Sequence, residues 1–188
     1  MKAIDVLNRE AYISALPLNK EGKELAPKTL AKVMLIKVHY SKAAEKIREE
    51  LQEVLRGLKK EGYDDRAQKQ LRMQDINERV AKAVAWKACG EGDKPEMPTA
   101  EEIKEAKVIS KATEAFNKET EELTKAYRLA NEEKMQEDCD VKDKRMSEEC
   151  YADVCAVLGT SGEIVFGNEY KEPMHRFLMV IASMFVEE

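Results

Sequence analysis

Between residues 99 and 137 apolar and small side chains recur at Ile103, Ala106, Ile109, Thr113, Phe116, Thr120, Leu123, Tyr127 and Ala130, in gaps of three and four. That spacing keeps one narrow stripe on one face of a helix. Thr99 and Glu102, directly after Pro98, form a capping box at its start, and neither Gly nor Pro follows before residue 159. The pattern predicts a single helix of about 38 residues, roughly 55–60 Å long at 1.5 Å per residue. Its seam holds Ala and Thr where a strong coiled coil carries Leu or Ile, so it needs partners, in this chain or another.

A second seam runs Leu30, Val33, Lys37, Tyr40, Ala44, Ile47, Leu51, Val54 and Leu58, predicting a helix over Lys28–Lys60 that stops before Gly62. Its first half, with Val33, Met34, Leu35, Ile36 and Val38, is apolar nearly all round, so more than one neighbour is expected to cover it. A third helix is predicted over Asp65–Ala88, with Met73, Ile76, Val80, Ala83 and Val84 inward. The short link through Gly62 favours an antiparallel hairpin of these two helices.

Shorter elements flank them. Ile4, Leu7, Ala11 and Leu16 suggest a helix over residues 3–16, followed by a polar loop from Pro17 to Ala26. Ser147 and Cys150 open a helix that ends at Gly159, and Glu163–Phe166 reads as a solitary extended run. Pro173 starts a last helix whose Phe177–Val186 stretch is apolar except for Ser183. Ten residues are too few to span a bilayer, so this helix is expected to be buried. Met174, Phe177, Leu178, Ile181, Met184 and Phe185 are expected against the thin seam and the Val33–Val38 region, in this chain or a neighbouring one. The fold class is therefore all-α: an elongated bundle of long helices with a short extended segment. One helical domain covers 1–188, with an internal boundary at 89–98 between an N-terminal hairpin (1–88) and a C-terminal helical part (99–188).

Charged residues make up 37 % of the 188 and aromatics 6 %, a balance suited to long exposed helices. Residues 1–60 carry a net +5 and residues 99–188 a net −9, so the two ends could attract one another within or between chains. Such an attraction would weaken with salt. The overall −5 argues against a general nucleic-acid binder. Cys89, Cys139, Cys150 and Cys155 follow no zinc or redox spacing, and the N-terminus lacks the apolar core of a secretory signal. These features suggest free thiols in the cytoplasm, or in a virus particle assembled there, with no cofactor and no membrane contact.

Chemistry-bearing patterns are sparse. Glu49, Glu50 and Glu53 form one EExxE, and Glu101, Glu102 and Glu105 another. Carboxylates at this spacing share a helix face and can hold Mg2+ between helices. The spacing is similar to the first half of the signature of all-α nucleoside triphosphate pyrophosphohydrolases of the MazG kind. That family pairs it with a later ExxD, and Glu137 with Asp140 supplies one beyond the expected interval. The resemblance implies a Mg-dependent nucleotide hydrolase, against the plainer reading of solubilising glutamates. His39 reads as a partly buried histidine and His175 opens the last helix. The turn Gly159-Thr-Ser-Gly162 is neither a nucleophile elbow nor a P-loop. Trp86, the sole tryptophan, suits either a contact anchor or a core position.

The expectation is a non-enzymatic structural or adaptor subunit of a larger assembly, a homo-oligomer or a multi-protein complex. Trp86, Phe177, Leu178, Ile181, Met184 and Phe185 are its candidate contacts. The architecture, a small Lys/Glu-rich chain of long helices, is similar to connector subunits of tailed-phage particles. The alternatives are the Mg-dependent hydrolase and a monomeric regulator or inhibitor of one partner protein.

Overall fold

The periodicities are realised as helices in a mostly helical computed structural model, which describes residues 1–20, 22–89, 95–166 and 170–187. Among the described residues there are seven helices: α1 (Ala3–Ala15), α2 (Pro27–Leu58), α3 (Tyr63–Cys89), α4 (Ala100–Ser110), α5 (Thr113–Gln136), α6 (Glu148–Leu158) and α7 (Met174–Phe185). Two small antiparallel hairpins join them, β1 (Asn19–Lys20) with β2 (Lys23–Glu24) and β3 (Glu163–Phe166) with β4 (Tyr170–Pro173). The extended run 163–166 is thus not solitary, because Tyr170–Pro173 pairs with it along its whole length. No described helix is long and apolar enough to cross a membrane.

The chain divides into two compact units, Met1–Glu53 with Asn131–Glu188, and Val54–Ala130. The expected boundary at 89–98 falls within the second, and its residues 90–94 lie outside the described residues.

The first unit holds the larger core. Val6 and Ile13 of α1, Val33, Ile36, Tyr40, Ile47 and Leu51 of α2, and Val154 and Leu158 of α6 surround α7. From α7 come Met174, Phe177, Leu178, Ile181 and Phe185, all buried. Tyr12 stacks on Phe177 with ring centroids 5.8 Å apart, and Phe166 of β3 meets Tyr12 edge-on at 5.1 Å. The last helix is therefore covered within its own chain. Its outer face, with His175, Arg176, Met179 and Ser183, is exposed.

Helix ends in this unit are tied by groups from afar. The Asp153 carboxylate accepts from Ala26 N–H at 2.9 Å, placing a negative charge at the start of α2. Lys37 Nζ donates to Ser14 O and Leu16 O, satisfying carbonyls at the end of α1. Ser147 caps α6 by accepting from Cys150 N–H, and Gly159 ends it at φ 65°, a conformation that favours a residue without Cβ.

In the second unit α3 lies antiparallel to α4 and the start of α5. Met73, Ile76 and Ala106 cluster there with Ile109 beside them. Three arginines two turns apart on α3 pair in reverse order with acids opposite: Arg66 with Glu119 at 2.6 Å, Arg72 with Glu105 at 3.0 Å, and Arg79 with Glu102 at 2.8 Å. This charge ladder sets both direction and register. Ile47 and Leu51 are covered in the first unit, while Met73 and Ile76 are covered by α4.

The expected single helix of about 38 residues is two helices. Lys111 N–H and Ala112 N–H bond three residues back, to Val108 O and Ile109 O, in a tightened turn. Directly after that turn the Thr113 hydroxyl donates at 3.0 Å to Gln70 Oε1, a buried group on α3.

Candidate functional site

A concavity of the first unit, about 400 Å3, is lined from α2 by His39, Ala43, Lys46 and Glu50 and from the end of α5 by Lys134. The α2 residues follow at four, three and four positions, so they share one face beside the buried seam. The chain at 137–141 closes the far wall and is held by the N-terminus. Cys139 N–H donates to Met1 O at 2.7 Å, Ala3 N–H to Glu137 O at 3.0 Å, and the Met1 ammonium to Cys139 O at 3.3 Å.

Lys134 is the centre of the groove's electrostatics. Its Nζ lies 2.6 Å from Glu50 Oε2 and 2.6 Å from Glu137 Oε2. Those two hydrogen bonds, Glu137's first, raise the lysine's pKa. Reciprocally, the bond from Lys134 holds the Glu50 carboxyl below its ordinary value. Lys46 stands 3.9 Å from the other Glu50 oxygen. His39 Nε2 is 2.8 Å from Lys142 O, so the ring is engaged with backbone and not aimed at a reacting group.

The groove joins part of the sequence-derived acidic pattern. Glu50 of the first EExxE meets Glu137 of the ExxD through an ammonium placed between the two carboxylates. Asp140 lines the same groove, while Glu49 is exposed. Among the described residues no three His, Cys, Asp or Glu side chains are grouped to hold a metal ion.

The second EExxE belongs to the other unit and has its own partners. Glu102 accepts from Arg79 at 2.8 Å and from Thr99 N–H at 2.7 Å, which completes the capping box. The Arg79 bond, then the Thr99 backbone, hold its carboxyl at about 2. Glu105 pairs with Arg72, and Glu101 is exposed. Trp86 is half-buried near the end of α3.

Phe177, Leu178, Ile181 and Phe185 lie in the first unit's core, with Met184 half-buried at its edge. At the Gly159–Gly162 turn Lys20 Nζ donates to Leu158 O at 2.7 Å and Ser161 O at 3.0 Å. Carbonyls that hold a lysine are the opposite of a phosphate cradle, which presents N–H groups.

Sequence reasoning missed the polar cluster around Arg9. The Arg9 guanidinium donates to Asp143 Oδ1 at 2.8 Å and to Met184 O, and lies over the Tyr40 and Phe185 rings. Tyr40 O–H donates to the same Asp143 oxygen at 2.9 Å, and Arg145 Nε to the other at 2.8 Å. One signal was present, an arginine set between Val6 and Ile13 on the apolar stripe of α1.

Compared with models of known protein families, with curated proteins and with solved structures, the chain matches none.

Proposed function

We propose that this protein is a non-enzymatic helical subunit or adaptor that works through protein–protein contacts in a larger assembly, of which a connector of a virus particle is one example. The observation that carries the reading is the incomplete core of the second unit. Helix α5 runs for 24 residues with an apolar stripe, yet none of its residues is buried. Leu71, Val84 and Val108 of the same unit are 65 %, 62 % and 69 % exposed. A groove of about 320 Å3 between α3 and α4 leaves Val80 and Ile103 half-covered. Helix pairs gain most of their stability by burying an apolar face, and a second protein surface would complete this one.

The nucleotide hydrolase is the less favoured reading. Glu50 and Glu137 share Lys134, and Glu102 and Glu105 each hold an arginine. Metal binding there would first have to displace those cations.

Light scattering across a concentration series tests the proposal. The expected mass is a multiple of the 21.4 kDa chain. A single-chain mass at every concentration, or turnover of a nucleoside triphosphate with Mg2+, would overturn it.

A further inference from the structure

Helix α2 carries two seams on opposite faces. One, through Val33, Ile36, Tyr40, Ala44, Ile47 and Leu51, is buried in the first unit. The other runs Lys28, Ala31, Leu35, Val38, Lys42 and Glu45, again in gaps of three and four, and every one of these residues is exposed. Leu35 is 69 % and Val38 47 % exposed, with Met34 and Leu30 beside them at 43 % and 36 %. Isolated apolar side chains on a surface need no explanation, but a contiguous strip on the outer face of one helix marks a contact.

We infer that this outer face of α2 pairs antiparallel with the same face of a second copy of the chain. The strip is self-complementary under a two-fold axis. With the axis between Ile36 and Lys37, Leu35 faces Val38 of the second copy and Ala31 faces Lys42, whose methylene stem can lie over it. Lys28 then faces Glu45 of the second copy, once at each end of the contact. Shifting the helices by one turn loses both the Leu35–Val38 contacts and the Lys28–Glu45 pairs, so charge and shape select one register. Among the described residues Lys28 pairs with Glu149, at 3.3 Å with both side chains about four-fifths exposed. A pair so exposed is worth little and exchanges readily. The strip lies wholly in the first unit, whose core does not depend on it.

This inference rests on the assembly reading and names one partner and one surface for it. Sedimentation velocity over a concentration series at low salt, with circular dichroism as a check on folding, tests it. The expected result is a dimer whose dissociation constant rises at least about tenfold in Leu35→Glu and in Val38→Glu, with helicity unchanged. Lys28→Glu and Glu45→Lys should each weaken the dimer, and the two together should restore it. Wild-type association that is indifferent to all four substitutions overturns the inference and leaves the assembly reading standing on another surface. A wild-type mass of one chain at every concentration overturns both.

Discussion

Arg9 and Asp143 stand 134 residues apart in sequence and 2.8 Å apart in space. Around this ion pair the start of the chain, α2 through Tyr40, the 143–145 segment and the end of α7 are joined. Asp143 gathers three donors on its two oxygens, from Arg9, Tyr40 and Arg145. The Arg9 side chain is 14 % exposed, so losing its partner would strand a charge in a poorly hydrated place.

Asp143→Ala should accordingly destabilise the protein by about 2–4 kcal/mol in urea unfolding, and Arg9→Met by less, because it leaves no buried cation behind. Equal and small effects from both would show that the cluster is solvated in practice.

The same carboxyl predicts a pH dependence. Burial pushes Asp143 up, but the hydrogen bonds from Arg145 and Tyr40 and the charges of Arg9 and Arg145 outweigh it, leaving the group below its ordinary value. Its contribution is therefore complete above the unfolded value of about 3.9 and is lost as pH falls through the lower folded value. Stability should stay level from pH 7 to about 4.5 on this account and fall below about 4. Asp143→Asn should flatten part of that fall.

Glu102 offers a local version. Its carboxyl should titrate at about 2, read by carbon-detected NMR. Arg79→Ala removes the largest cause and should return it towards the ordinary glutamate value of about 4.3, while Thr99 N–H keeps some of the depression. Thr99→Ala should speed amide exchange in the first turn of α4, whose cap it removes.

The two faces of α2 make opposite predictions for equal substitutions. Ile47, 3 % exposed, should cost about 2–4 kcal/mol when replaced by Ala. Leu35, on the open face, should change chain stability by no more than about 0.5 kcal/mol under the same replacement. Comparable losses at both positions, measured at a concentration where the chain is a monomer, would mean that the outer face is covered in the folded monomer.

What the sequence made legible was local. Ser147 and Gly159 mark the ends of α6 because a cap and a positive φ depend on the residue itself. The Thr99–Glu102 box is likewise readable over four residues. The interruption after Ser110 was not, since neither Gly nor Pro marks it and the Thr113–Gln70 contact beside it spans 43 residues. Nor was the pairing of α3 with α4 and the start of α5, although Arg66, Arg72 and Arg79 carried its register in their spacing. The groove was half legible. Glu50 and Glu137 were visible as acids, but the lysine that occupies the space between them could only be seen once α2 and the end of α5 met.

Deleting the chain from Phe177 onward tests the largest packing claim. The lost segment supplies Phe177, Leu178, Ile181 and Phe185, all buried, to a core shared with α1, α2 and α6. It also carries backbone groups that other parts of the chain use. Tyr151 O–H donates to Leu178 O at 2.8 Å, Met146 N–H to Phe185 O at 2.6 Å, and Arg9 to Met184 O. Burying one such side chain contributes roughly 1.5–3 kcal/mol, so the four together rival the whole stability of an ordinary domain. The truncated protein should keep much of its far-ultraviolet helix signal, since the other helices remain, but lose near-ultraviolet signal and bind a hydrophobic dye. Phe177→Ala in the full chain should cost about 3–5 kcal/mol, a milder form of the same injury. A truncated chain that stays monodisperse, unfolds cooperatively and melts at the wild-type temperature would show that α7 is a detachable segment, and that the remaining helices close a core of their own.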